Sequence, residues 1–188
     1  NGVFSIMSEL RTNRIVPRDG LTSGASGGII QVVSATKTDA ALVEDIAAES
    51  IGSSNVSGLD LTITPTRSDS KILLMVSIYV GHEGTVPRFG FVIYKGGSAL
   101  TGAIGDADGS RERVTGINNQ SAGSGSLSPL TAHHLDSPST TSAITYGIRL
   151  FNGSNSTQQL YINRSHVATD SARFGRPVSS FTAMEVSG

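Results

Sequence analysis

Leu59-Asp60-Leu61-Thr62-Ile63-Thr64 alternates apolar and polar side chains one by one, and Pro65 ends the run. A period of two places Leu59, Leu61 and Ile63 on one face of an extended chain, which predicts a half-buried strand. Six residues further on, Lys71–Val80 is the most apolar stretch of the sequence and is expected to be the central core strand. Working outward, strand signals recur over 29–36, 88–95, 110–117, 127–135, 143–151, 159–163 and 180–186. Between them stand turn formers: Gly84 and Pro87, Lys95-Gly96-Gly97, Asp136-Ser137-Pro138 and Asn152-Gly153. That is about eight or nine short strands in close succession, the pattern of an antiparallel sandwich or barrel. A doubly wound α/β fold needs helices between its strands, and these are missing. Only Ala40–Glu49 suits a helix, with Leu42 and Ile46 on one face. An isolated helix of that length is marginal, so strand and loop stay open there.

Composition agrees. The 188 residues include 22 Gly and no Cys or Trp, and charged residues make up 15%, below the roughly 25% usual for soluble domains. Without cysteine there are no disulfides, no thiol catalysis and no Cys-based zinc site. A net charge of −1 offers no basic field for nucleic acid or anionic lipid. No apolar run approaches the roughly 20 residues of a bilayer-spanning helix, and Asn1–Met7 lacks the basic and apolar regions of a signal peptide. Neither nucleic-acid binding nor membrane insertion is expected.

The Gly/Ser-rich stretch Leu21–Gly28 marks the one boundary. Residues 1–27 read as an N-terminal arm and linker, with Leu10, Ile15 and Val16 as apolar anchors; residues 28–188 read as the folded domain.

Several segments together resemble a knob domain of marine bacteriophage, especially cyanophage, tail fibres and fibre-like appendages. They are Ile29–Asp39, Gly58–Pro65, Asp69–Val76, Leu135–Ser142 with Tyr146, Tyr161–Ser165, Thr169–Ser171 and Ser179–Val186, preceded by the arm Ser8–Gly20. Each motif alone is weak; their order and spacing carry the resemblance, over about residues 8–186. It implies an all-β, antiparallel, jelly-roll-like β-sandwich knob that forms a homotrimer. The arm would join it to other virion proteins, and its exposed loops would meet a host-surface glycan or protein. The large N-terminal domain of many long tail fibres has no counterpart here, which favours a short appendage on tail or capsid.

The chemistry-bearing residues are weighed against plainer readings. His133-His134 lie on a predicted strand, so their side chains point to opposite faces and do not chelate one ion between them. His82 and His166 fall near turns without a ligand-spaced partner. Asp106-Ala107-Asp108-Gly109 resembles a calcium loop, but position twelve is Ile117 where an EF-hand needs Glu, so a Gly-supported turn is expected. Arg111-Glu112-Arg113 reads as a solvated strand face or a subunit contact. Asp170, Arg173 and Arg176 form a polar loop suited to a glycan or a neighbouring subunit. No Gly-x-Ser-x-Gly elbow, phosphate loop or dinucleotide fingerprint occurs, and no spacing pairs Asp106, Glu112 or Asp136 as glycosidase carboxylates. The expectation is a virion structural protein, not an enzyme, with no catalytic residue, metal or cofactor. The alternatives are a capsid decoration protein and, remotely, a capsule polysaccharide-degrading enzyme. Candidate tip loops are 82–87, 96–109, 119–126 and 164–177.

Overall fold

Alternation is fully expressed in β5 (Lys71–His82), where Ile72, Leu74, Val76, Ile78 and Val80 are buried and the intervening residues are only half covered. The computed structural model describes residues 28–83, 88–119, 123, 125–167 and 169–188. Leu10, Ile15, Val16 and the rest of the predicted arm lie outside the described residues, as does much of the 82–87 and 119–126 loops.

Around β5 lies the first sheet. Its order is β1 (Ile29–Lys37), β12 (Ser179–Val186), β5, β11 (Gln158–Ile162) and β2 (Ala41–Ile46), and β9 (Leu127–Asp136) pairs with β5 along its other side. The second sheet runs β3 (Ser50–Ile51), β10 (Ile144–Asn152), β6 (Phe89–Lys95), β7 (Ser98–Ala99), with β4 (Leu61–Ile63) on β10 and β8 (Gly116–Asn118) on β6. Every pairing is antiparallel. The inward residues of both sheets form one core, including Ile72, Leu74, Ile78 and Phe181 from the first and Phe91, Ile93, Ile148 and Leu150 from the second. Each such fully buried side chain contributes about 1.5–3 kcal/mol by leaving water. The protein is an all-β antiparallel sandwich, with one 3-10 turn at Thr101–Ala103.

Within Ala40–Glu49, Ala41–Ile46 resolves as strand β2, and Ala48–Glu49 turn toward β3. Pairing with β11 (Leu42 opposite Tyr161, Ile46 opposite Gln158) satisfies its backbone and turns Val43 and Ile46 to the core. The expected strand 110–117 is corrected: pairing starts only at Gly116, because Asp108–Arg111 close a turn on Gly109 (φ +58°) and Arg111 and Glu112 stay in solvent. At Lys95-Gly96-Gly97-Ser98 the tight turn forms as read, with φ of +57° and +86° at the two glycines joining β6 to β7. Two short strands, β3 and β7, carry no periodic signal of their own.

Two polar clusters hold the seam between the sheets. Asp136 on β9 accepts hydrogen bonds from Lys95 (2.8 Å) on β6 and Tyr146 (2.6 Å) on β10. Burial, then the adjacent carboxylate, push the Tyr146 hydroxyl far above its ordinary pKa. Glu185 on β12 is fully buried and accepts from Gln31 (2.6 Å) and from the Thr66 amide and hydroxyl (2.7 Å each). Burial alone would raise its pKa; the hydrogen bonds outweigh that and hold it below the usual value.

Candidate functional site

The loop from β11 to β12 is where polar side chains converge on open space. Its base is pinned at both ends. Asn163 begins it in a left-handed conformation (φ 58°), which Asn tolerates better than most residues. The Asn163 amide donates to the carbonyls of Lys37 (2.7 Å) and Asp39 (3.0 Å). Ser179, where β12 starts, donates to Asn163 Oδ1 (2.6 Å) and accepts from the Tyr79 amide (3.0 Å). Asn163 and Ser179 are themselves fully buried, so the loop springs from a rigid frame.

Within the loop, Arg164 stacks over the Tyr161 ring at 4.6 Å and donates to the carbonyls of Ser165 (3.1 Å) and His166 (3.2 Å). Tyr161 is in turn 2.9 Å from His166 Nδ1. Gly81 lies beneath: a Cβ there would stand 2.1 Å from the Arg164 carbonyl oxygen, so the loop settles on β5 only because residue 81 has no side chain. Beyond Arg164 the chain encloses a cleft of about 340 Å³ lined by Arg164, Thr169, Asp170, Ser171, Phe174 and Arg176 among others. Among the described residues, neither Asp170 nor Arg176 has a hydrogen-bond or ion-pair partner. Arg173 lies over the Phe174 ring at 5.7 Å.

A guanidinium fork, a carboxylate, two hydroxyls and an aromatic ring around one cleft can bind a polyhydroxylated ligand. Arginine recognises a carboxylate or sulfate through paired N–H groups, and Asp and Ser bind hydroxyls. The cleft unites Asp170 and Arg176 from the polar loop singled out in the sequence, with Arg173 at its margin. Arg164, Phe174 and the Asn163–Ser179 frame were not legible as site residues. Asn before a charged residue at a strand end is the one available signal, and it also fits any turn.

The other candidates separate. His133 is exposed on the outer side of β9, while His134 faces inward against Gly102. Among the described residues no group of three or more His, Asp or Glu side chains is disposed to hold a metal. His82 is buried and stacked on Phe89 at 5.3 Å; its Nε2 has no partner among the described residues, and burial lowers its pKa. Asp108 pairs with Arg111 (2.6 Å) across the exposed turn, and Arg113 donates to the Gly105 carbonyl. Asp106 and Glu112 are exposed on this loop, whereas Asp136 is engaged in the seam. No described helix is long and apolar enough to cross a membrane.

No family model matches the chain, and no curated protein matches it. Among solved structures, a chain in the structure of the infectious bursal disease virus Gt strain is similar to this one, at 12% identity and a TM-score of 0.44. The similarity covers 94% of this chain and 44% of that one, so the protein spans less than half the length of that neighbour.

Proposed function

We propose that this protein is a virion structural protein, the trimeric knob of a bacteriophage fibre or fibre-like appendage. In this reading it attaches to other virion proteins through residues 1–27, with Leu10, Ile15 and Val16 as anchors, and meets the host surface through its loops. The observation that carries it is where the motifs of the phage-knob resemblance fall. Ile29–Asp39, Asp69–Val76 and Ser179–Val186 come from distant parts of the chain, yet they form β1, β5 and β12, three neighbouring strands in one sheet. Motifs with that placement would supply the scaffold of the sandwich, with its loops standing on it.

The 164–177 loop is the contact we assign to the host. Its cleft suits a glycan carrying an acidic group: the carboxylate or sulfate on Arg176, hydroxyls on Asp170 and Ser171, and a sugar ring against Phe174. One such site binds weakly, and three copies on one particle multiply the avidity. A structural role accords with Asp136 being committed to Lys95 and Tyr146 while Asp106 and Glu112 sit on an open surface loop.

The test is the mass of the full chain in solution by light scattering, followed by binding to an array of neutral, uronic-acid and sulfated glycans. A trimer that binds acidic glycans, and loses at least tenfold in signal with Arg176→Ala, is the expected result. A monomer overturns the fibre reading. Binding that survives Arg176→Ala and Asp170→Asn overturns the cleft assignment.

A further inference from the structure

Among the described residues, none is seen to cover the outer face of the first sheet. Side chains that point away from the core can be followed across four strands by their register. Val32, Met184, Leu73 and Leu135 stand in one row across β1, β12, β5 and β9. Ile29 and Val186 extend this apolar zone at one end. On the other side the next row is Ser34, Thr182, Met75 and His133, and then Thr36, Ser180, Ser77 and Thr131. Ile29, Val32 and Leu135 are 57%, 54% and 52% exposed, three of the six large apolar side chains that stand most in solvent among the described residues.

These rows contain no Asp, Glu or Arg. The one formal cation at the margin is Lys71, whose ammonium donates to Ser137 (2.8 Å). A strongly charged partner finds no counter-charge here, whereas a second copy brings an equally neutral surface and no like-charge repulsion. The size also suits a copy. Four strands about 4.8 Å apart and eight residues of roughly 3.3 Å rise give a flat footprint on the order of 500 Å². That flat area is of the same order as the ~800 Å² per partner of a standard interface. Among the described residues, the outer edges of β1 and β9 carry no further strand and bound the face.

We infer that this face is where copies of the chain meet, three sheets facing a common three-fold axis with the β1 margin of one copy against the β9 margin of the next. Such contacts are heterologous and close after three copies, so Val32 and Ile29 of one subunit meet Leu135 of its neighbour, while Leu73, Met75 and Met184 fill the centre. This rests on the trimeric reading above and adds the surface that makes the trimer.

The experiment uses the full chain and reads mass by light scattering, with far-UV circular dichroism to confirm folding. Leu135→Glu is expected to yield a folded monomer. Ile117→Glu, an exposed apolar position on β8 of the other sheet, is the control and is expected to stay trimeric. If wild type is a trimer and Leu135→Glu is one too, the inference is overturned and the trimeric reading stands. If wild type is a monomer, the trimeric reading fails and the interface with it. Should Leu135→Glu not fold, Val32→Cys with Leu135→Cys decides the matter, because the wild-type chain has no cysteine. Oxidation with copper phenanthroline should link the double variant into covalent trimers and leave each single variant unlinked. A double variant that stays unlinked overturns the inference.

Discussion

The two sheets share a core but differ on their outer faces. On the second sheet the chain covers itself. The excursion Ser53–Asp60 leaves the line of β3 and β4 and lies against β10, where Arg149 donates to Asn55 (3.1 Å) and Asn55 to Asp60 (2.7 Å). The Arg149 guanidinium sits 4.1 Å over the Tyr94 ring, and Val92, though on the outward side of β6, is fully buried. On the first sheet the equivalent side chains are apolar and hydroxyl-bearing, and nothing described covers the end with Ile29, Val32 and Leu135. Alternation of burial is regular in β5 and β12 of the first sheet and is lost in β6 of the second, where outward residues are buried too. It reports which residues share a face, and whether the outer face is covered is decided by loops whose paths carry no period.

The largest test of this contrast is Leu59→Ala. Leu59 belongs to the excursion yet is fully buried in the core, so its loss should cost about 2–5 kcal/mol in urea unfolding. Leu135→Ala, on the bare face, should change the stability of an isolated subunit by no more than about 0.5 kcal/mol. Equal costs at the two positions would mean that Leu135 is packed as firmly as a core residue and that the outer face of the first sheet is covered.

A finer cut is Gly147→Ala. A Cβ at Gly147, on the outward side of β10, would stand 2.2 Å from the Asn55 amide nitrogen and 2.5 Å from an Asp60 carboxylate oxygen. The excursion must lift, and a cost of about 1–3 kcal/mol is expected, read as a lower urea midpoint at unchanged slope. An unchanged midpoint would show that the excursion rests on the sheet without being held there.

Much of this architecture was legible before the structure. The strands over 29–36, 71–80, 88–95, 127–135, 143–151, 159–163 and 180–186 fall where their patterns place them, because each has one face in a common core. Residues 40–49 were ambiguous because an alanine-rich segment has no strong local preference, and only its pairing with β11 decides it. The 110–115 stretch misled because charges in alternation resemble a strand face while equally suiting a solvated loop. The cleft was half legible: Asp170 and Arg176 stood out as charges in a weakly charged chain, whereas Arg164 becomes a site residue only through its stacking on Tyr161 and the missing side chain at Gly81.

The smallest expected effect concerns the seam between the sheets and is spread over pH. Glu185 ties β12 to Thr66, just past the end of β4, at one end of the sandwich; His82 stacks on Phe89 at another point where the sheets meet. Glu185 has its pKa lowered by folding, from an ordinary 4.5, so its stabilisation is complete above that value and is lost as pH falls through the folded value. His82 is also lowered, from 6.5, but it is neutral in the folded protein and charged in the unfolded chain below 6.5. Its penalty therefore begins at higher pH and levels off once pH drops beneath the folded value. Acid unfolding should show two windows. His82→Phe should flatten the one opening below about 6.5, and Glu185→Gln the one below about 4.5, each leaving the other in place. Thermal midpoints measured from pH 7.5 to pH 3 would separate them. A His82→Phe curve parallel to wild type throughout would mean that this end of the seam opens before the sandwich unfolds, since a histidine already exposed in the folded state adds no pH dependence.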